Sequence, residues 1–201
     1  MHGRKLACPG RARTAALLCT LLFTALPAAH AGTAGLLGGD FLSGFVDDLG
    51  HHVQGQYLQR PLRLVLFGYT SCPDVCPLTL AALHQALAGM GARASRIDPV
   101  FVTVDPDRDT VVRLHRYVSA FDPRIRGYRT DAAHLQQLAQ QLQVRYWREA
   151  TGPGPDDYGV DHTATLFLIS RDGRILARIH HNPDPGVLSQ AILNAVRAAG
   201  S

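Results

Sequence analysis

The stretch VLFGYTSCPDVCPLTLAAL, Val65–Leu83, decides how the rest of the chain is read. Val65, Leu66 and Phe67 form the short apolar run of a strand covered on both faces, and Gly68 lets the backbone leave the sheet. Two cysteines follow in a tight turn. Pro77, directly after Cys76, fits the first turn of a helix, where its missing N–H has no partner to lose. A helix starting near Cys76 sets both sulfurs beside unpaired amides and the positive end of the helix dipole, which favours thiolate over thiol. Low-pKa thiolates serve as redox centres or as metal ligands. Pro73, Asp74 and Val75 separate the pair, one residue more than in a Cys-x-x-Cys oxidoreductase. The wider turn gives room for an ion and still permits a disulfide.

The 201 residues allow one ordinary domain with its own core, but the beginning of the chain has a different character. Arg4, Lys5, Arg11 and Arg13 precede an apolar run, Ala15 to Leu26, and a small-x-small site, Ala29-His30-Ala31. This is the pattern of an export signal, residues 1–31, either cleaved or kept as an N-terminal membrane anchor. The run is short for a span of about 20 residues, which favours cleavage. Leu18 stands before Cys19 where a lipidation signal needs a small residue. Residues 32–201 are then the working domain, in the periplasm or another extracytoplasmic space.

Residues 1–31 carry four of the 20 basic side chains and none of the 16 acidic ones, so the remainder holds 16 of each. A formally neutral domain gives no footing for nucleic acid or an anionic membrane surface. Cys8 and Cys19 fall in the signal, leaving Cys72 and Cys76 in a compartment where disulfides persist. So short a loop gains little from crosslinking, and chemistry is the better explanation of the pair.

Outward from the thiol turn, Phe41 to Val46 and Val53 to Leu58 read as strands joined at Asp47-Asp48-Leu49-Gly50, a hairpin-like start. A helix is expected from about Cys76 to Met90 and a buried strand at Val100 to Val104. A helix capped by Asp109 carries Val112, Leu114, Tyr117, Val118 and Phe121 on one face. Gly127 to Arg129 is a weak strand, and Asp131 caps a helix with Leu135, Leu138 and Leu142 on one stripe. Val144 to Trp147 reads as a short strand and Thr151 to Gly159 as an exposed loop. Strands at Thr165 to Ile169 and Ile175 to Ile179 flank the turn Arg171-Asp172-Gly173. A last helix, Val187 to Ala199, follows Asp184 and Pro185. This order describes one α/β domain with a mixed sheet flanked by helices.

A metal needs more than two sulfurs, and His162 is the best third donor. If the strand after it neighbours Val65 to Phe67, its imidazole projects at the sulfur end of the sheet. Two thiolates and one imidazole suit copper: soft sulfur holds Cu(I), and nitrogen helps accommodate Cu(II). Asp161 is placed to orient the ring. The other histidines fit less well. His84 lies roughly 12 Å beyond Cys76 along a helix axis, His51-His52 and His180-His181 read as solvated strand ends, and His115 and His134 are ordinary helix positions. Asp105, Asp107 and Asp109 mimic a calcium loop, but Thr110 replaces its Gly and Arg116 its bidentate Glu. Asp105 and Asp109 are read instead as caps of a strand end and a helix start.

Four motifs, GYTSCPDVCP (Gly68–Pro77), VDPDRDT (Val104–Thr110), FDPRI (Phe121–Ile125) and YGVDHTA (Tyr158–Ala164), resemble the Sco (SenC) family in order and spacing. The early Asp47, Gly50 and Val53 fit the same pattern, while Val111 departs from it where a Pro is common. That resemblance implies a thioredoxin-like fold, with Cys72, Cys76 and His162 as copper ligands, in a metallochaperone rather than an enzyme. Its implied partners are a copper-donor protein and the copper-binding subunit of cytochrome c oxidase, whose copper centre it helps assemble. Where true thioredoxins carry a cis-proline facing the thiols, this chain has His162-Thr163-Ala164, which favours metal binding over disulfide exchange. The alternatives are a thiol-disulfide oxidoreductase or peroxidase using Cys72 and Cys76, and an extracytoplasmic redox or copper sensor.

Overall fold

Side chains along β2, Leu62–Gly68, alternate between two cores, as a strand buried on both faces must. In the computed structural model, which describes residues 36–38, 40–54 and 60–199, Leu62, Leu64 and Leu66 join one core and Val65 and Phe67 the other. The first core also holds Leu80, Leu83 and Leu87 of α1 (Val75–Gly89), Leu114 and Val118 of α2 (Val111–Phe121), and Leu188 and Ile192 of α4 (Pro185–Ala199). The second holds Leu135, Leu138 and Leu142 of α3 (Ala132–Leu142) together with Phe45 and Val53. Three helices therefore cover one face and α3 the other.

β2 pairs in parallel with β3 (Ile97–Thr103) and antiparallel with β7 (Thr165–Ser170), where Val65 lies opposite Phe167. Around this centre the six-stranded sheet runs β1-β4-β3-β2-β7-β8, with β1 Val46–Asp47, β4 Arg126–Arg129 and β8 Ile175–His180. This is a thioredoxin-like arrangement, a mixed sheet with helices on both faces. The parallel β2–α1–β3 and β3–α2–β4 units bring the β2–α1 turn and the β3–α2 loop to the same end of the sheet. A short 3-10 helix, Gly91–Arg96, links α1 to β3.

Three expectations change. The N-terminal hairpin reduces to β1, which pairs with β4 instead, and a single bridge between Val46 and His52; residues 55–59 lie outside the described ones. The loop expected at Thr151 to Gly159 closes two residues early: Tyr158 and Gly159 open β6 (Tyr158–His162), which pairs with β5 (Tyr146–Ala150) in a separate two-stranded ribbon. The cap of α2 is Thr110, whose side chain accepts from the Arg113 amide, and not Asp109. The expected signal or anchor, residues 1–31, falls outside the described residues. Among those described, no helix is long and apolar enough to cross a membrane.

β1 is held by charge where its hydrogen-bonded register is short. Asp47 and Asp48 are both buried, and Arg126 donates to Asp47 at 2.7 Å and to Asp48 at 2.9 Å. His51 lies 3.2 Å from Asp47, and His115 of α2 lies 2.8 Å from Asp48. Arg126→Ala leaves two adjacent buried carboxylates without the cation they share. The expected cost is on the order of 3 kcal/mol, read as a lower urea midpoint. A loss below about 1 kcal/mol would place the cluster with ordinary surface ion pairs.

Candidate metal centre

Cys72, Cys76 and His162 converge at the sheet end where α1 begins. Their two sulfurs and one ring nitrogen all lie within 4.8 Å of one another, and both cysteines are free. Among the described residues, no other group of three His, Cys, Asp or Glu side chains comes together in this way. Cys76 is buried in the first turn of α1 and Cys72 is half-buried in the turn before it. The Cys72 amide donates to the Tyr69 carbonyl at 3.2 Å, which folds the turn back on the strand. The Cys76 amide, one of the unpaired donors at the helix start, faces the Cys72 sulfur at 3.4 Å.

Gly68 is required where β2 ends. A Cβ there would lie 2.8 Å from the Cys76 sulfur and 2.7 Å from the Phe101 ring, so the close approach of sulfur to backbone depends on the missing side chain.

One imidazole nitrogen meets the thiols and the other meets backbone. Nε2 of His162 lies 3.4 Å from the Cys76 sulfur, and Nδ1–H donates to the Thr163 carbonyl at 3.2 Å. That bond leaves the Nε2 lone pair facing the sulfurs, the tautomer a metal ligand needs. The Tyr69 ring packs edge-on against the imidazole with centroids 6.2 Å apart. Asp161 does not orient the ring as expected. It is exposed and lies opposite Trp147 on the ribbon, and successive strand side chains point to opposite faces. The Thr163 carbonyl takes that role.

The thiols share one proton. A hydrogen bond with Cys76 brings the Cys72 thiol down to about 3 against the opposing effect of burial, helped by the backbone of Asp74 and Cys76. The same bond, then burial and the Cys72 charge, push Cys76 far above the ordinary thiol range. The site is therefore a half-exposed thiolate beside a buried thiol.

Residues remote in sequence hold this geometry. Asp109 is fully buried, and its carboxylate accepts the Thr70 amide at 3.0 Å and the Thr70 and Thr103 hydroxyls at 2.5 Å. Asp105, equally buried, accepts from Arg108 at 2.5 Å and from the Tyr158 hydroxyl at 2.8 Å. Arg108 donates to the Tyr158 carbonyl at 2.9 Å and stacks 3.6 Å from its ring centroid. Neither aspartate is a helix cap; one clasps the thiol turn and the other the ribbon that ends in His162. Two helix histidines are engaged elsewhere: His84 pairs with Asp122 at 2.9 Å and His134 with Asp131 at 2.7 Å. His181, expected to be solvated, is half-buried against Thr79 at 2.7 Å.

The SCO1/SenC family model matches residues 30–197. The chain belongs to the SCO1/SenC family. A SCO2-like protein of Rickettsia conorii is 29% identical over 158 residues, covering 79% of this chain and 76% of that one. The human mitochondrial SCO1 homolog is 34% identical over 149 residues, 71% of this chain and 46% of the relative, so the chain spans about half that protein's length. Among solved structures, Bradyrhizobium japonicum ScoI with copper bound is similar at a TM-score of 0.66 and 34% identity, over 77% of this chain and 95% of that one. Arabidopsis thaliana ScoI with copper bound gives 0.68 and 30%, over 76% and 94%. In this Sco-family chain the thiol pair and the histidine are thus part of a fold shared with proteins solved with copper.

The shared proton has a measurable consequence. Alkylation at about pH 6 should label Cys72 well ahead of Cys76, because the thiolate is the nucleophile; equal labelling would contradict the split. Since the folded Cys72 value lies below the ordinary 9.0, its stabilising contribution is complete above that pH and fades as pH falls toward 3. Acidification over this range should lower the melting temperature more steeply in the wild type than in Cys72→Ser.

Proposed function

We propose that this chain is a copper metallochaperone that binds one copper ion through Cys72, Cys76 and His162. Its cargo serves assembly of the copper centre of cytochrome c oxidase. The observation that carries the proposal is the convergence of two sulfurs and one lone-pair imidazole nitrogen within 4.8 Å. Soft sulfur suits Cu(I) and imidazole suits Cu(II), so the donor set fits an ion that changes oxidation state in transit. Membership of the SCO1/SenC family and likeness to copper-bound relatives support the same cargo. The partners are a protein that donates copper and the oxidase subunit that receives it. The N-terminal signal, cleaved or kept as an anchor, places the domain in the periplasm or another extracytoplasmic space.

Within this proposal each residue has a distinct task. Cys72 supplies a thiolate already formed, Cys76 gives up its proton as the ion arrives, and His162 offers Nε2 while its other nitrogen stays on the Thr163 carbonyl. Copper supplies the charge and the redox couple that the recipient centre needs. The protein supplies a preorganised seat in which Tyr69 and Phe101 flank the donors.

One observation favours a second use of the same pair. A half-exposed thiolate beside a buried thiol is also the form of a dithiol reductant. Attack by Cys72 on a partner disulfide, followed by attack of Cys76 on the mixed disulfide, would reduce the partner's cysteines and leave Cys72–Cys76 oxidised. Loss of His162 separates the two uses: disulfide reduction should survive it, whereas stable Cu(II) binding should not.

Anaerobic loading of the reduced chain should give one copper per chain, measured by metal analysis. Cys72→Ala or Cys76→Ala should abolish tight binding, and chain oxidised to the disulfide should load only after reduction. A double Cys→Ala variant that still holds one tight copper would refute the assignment.

His162→Ala should impair Cu(II) far more than Cu(I), because two thiolates satisfy Cu(I) in near-linear geometry while Cu(II) needs nitrogen or oxygen donors. Titrations of both ions should show retained Cu(I), lost thiolate-to-Cu(II) absorption and a raised copper reduction potential. Equal losses for both ions, or none, would remove His162 from the ligand set.

A further inference from the structure

We propose that His181 supplies a fourth donor to the site when the cargo is Cu(II), its ring moving from Thr79 onto the ion. The inference rests on the copper assignment of Cys72, Cys76 and His162 and concerns a residue outside that set.

Backbone pairing brings His181 to the site. His180 ends β8 opposite Thr165, and the His181 amide donates at 3.0 Å to the carbonyl of Ala164, two residues beyond His162. From there the His181 ring reaches across to α1, where Nδ1 lies 2.7 Å from the Thr79 hydroxyl. Thr79 is buried nearly one turn after Cys76, and Cys76, Thr79, His162 and Ala164 line one small cavity. His181 thus touches both arms of the site, the helix that carries Cys76 and the loop that leaves His162.

The hydrogen bonds also leave it equipped as a ligand. Thr79 has one hydroxyl proton and places it on the Val75 carbonyl at 2.7 Å, so its oxygen accepts from Nδ1–H of His181. Nε2 then carries the lone pair. Moving the ring costs one hydrogen bond between neutral groups, the weaker kind, and His181 is only half-buried.

Cu(II) favours four donors in a tetragonal arrangement, and the cluster provides three. Three of the nearby carboxylates are committed or averted: Asp109 holds Thr70 and Thr103, Asp105 holds Arg108 and Tyr158, and Asp161 turns away on the ribbon, while Asp74 is exposed to solvent. His181 is the nitrogen donor that contacts both arms of the site.

Pulsed electron paramagnetic resonance on the Cu(II)-loaded full chain should count two directly bound imidazole nitrogens in the wild type and one in His181→Gln. Glutamine can keep a hydrogen bond to Thr79 while removing the nitrogen ligand. The same variant should lose at least the roughly 10-fold in Cu(II) affinity that even a hydrogen-bond partner of a ligand carries, with Cu(I) affinity unchanged. His180→Gln, on the exposed neighbour, should retain two nitrogens. One nitrogen in the wild type overturns the proposal in favour of an oxygen donor, such as exposed Asp74 or water. Two nitrogens in His181→Gln, or equal losses for Cu(I) and Cu(II), overturn it as well. Cu(II) uptake with no thiolate-to-copper absorption would overturn the copper assignment itself, a different failure from normal absorption with a single nitrogen.

Discussion

The buried carboxylate of Asp109 is the constraint on which the rest of the site depends. With no solvent to satisfy it, its charge is tolerable only because two hydroxyls and one amide donate to it. Two of those donors belong to Thr70, so the turn leading to Cys72 cannot shift without uncovering a buried anion. Four residues earlier, Asp105 applies the same physics to Tyr158, and Arg108 adds a hydrogen bond to the Tyr158 carbonyl and a stacked ring. The loop Val104–Thr110 thereby grips both halves of the metal centre. Soft ligands on a turn and on a two-stranded ribbon would otherwise be free to separate, since a lone ribbon has little stability of its own.

What could be read in the sequence was the part written in local signals. The apolar run Val65 to Phe67, the glycine after it and the proline after Cys76 specify strand, turn and helix by themselves, and each is found. Asp131 caps α3 as its position before an apolar stripe requires, donating nothing and accepting from Ala133 and His134. Asp109 stood at a similar place before α2 and was open to the same interpretation. The difference is tertiary: Thr110 is one residue closer to the helix, and Asp109 is claimed by Thr70 from 39 residues away. Nothing local marks such a partner.

β6 illustrates a second limit. Tyr158-Gly159-Val160-Asp161-His162 has one buried apolar side chain, and Gly and Asp depress strand propensity. The segment is a strand because β5 pairs with it and the Asp105–Arg108 clasp fixes its start. Strand alternation then decides which of two adjacent polar residues can serve the site. His162 faces the sulfurs and Asp161 faces away, a distinction hidden while the segment reads as a loop.

Hydrogen bonding among the three donor side chains draws them toward one point. The Cys76 thiol lies between two acceptors, the Cys72 thiolate and the Nε2 lone pair of His162, so all three donor atoms already face inward. One thiolate, one thiol and a neutral imidazole carry a single negative charge. Two thiolates, a neutral imidazole and Cu(I) carry the same charge, so exchanging the proton for Cu(I) leaves the local charge unchanged. The amide at the start of α1 that faces the Cys72 sulfur is suited to both states alike. Cu(II) makes the site neutral, and the helix N-terminus then has less negative charge to stabilise. On the proposed assignment, the helix start and the paired thiols would favour reduced copper, and nitrogen donors from the sheet end would make the oxidised ion tolerable. The sulfurs would then set which ion the site prefers, and the imidazole of His162 how far that preference can be relaxed.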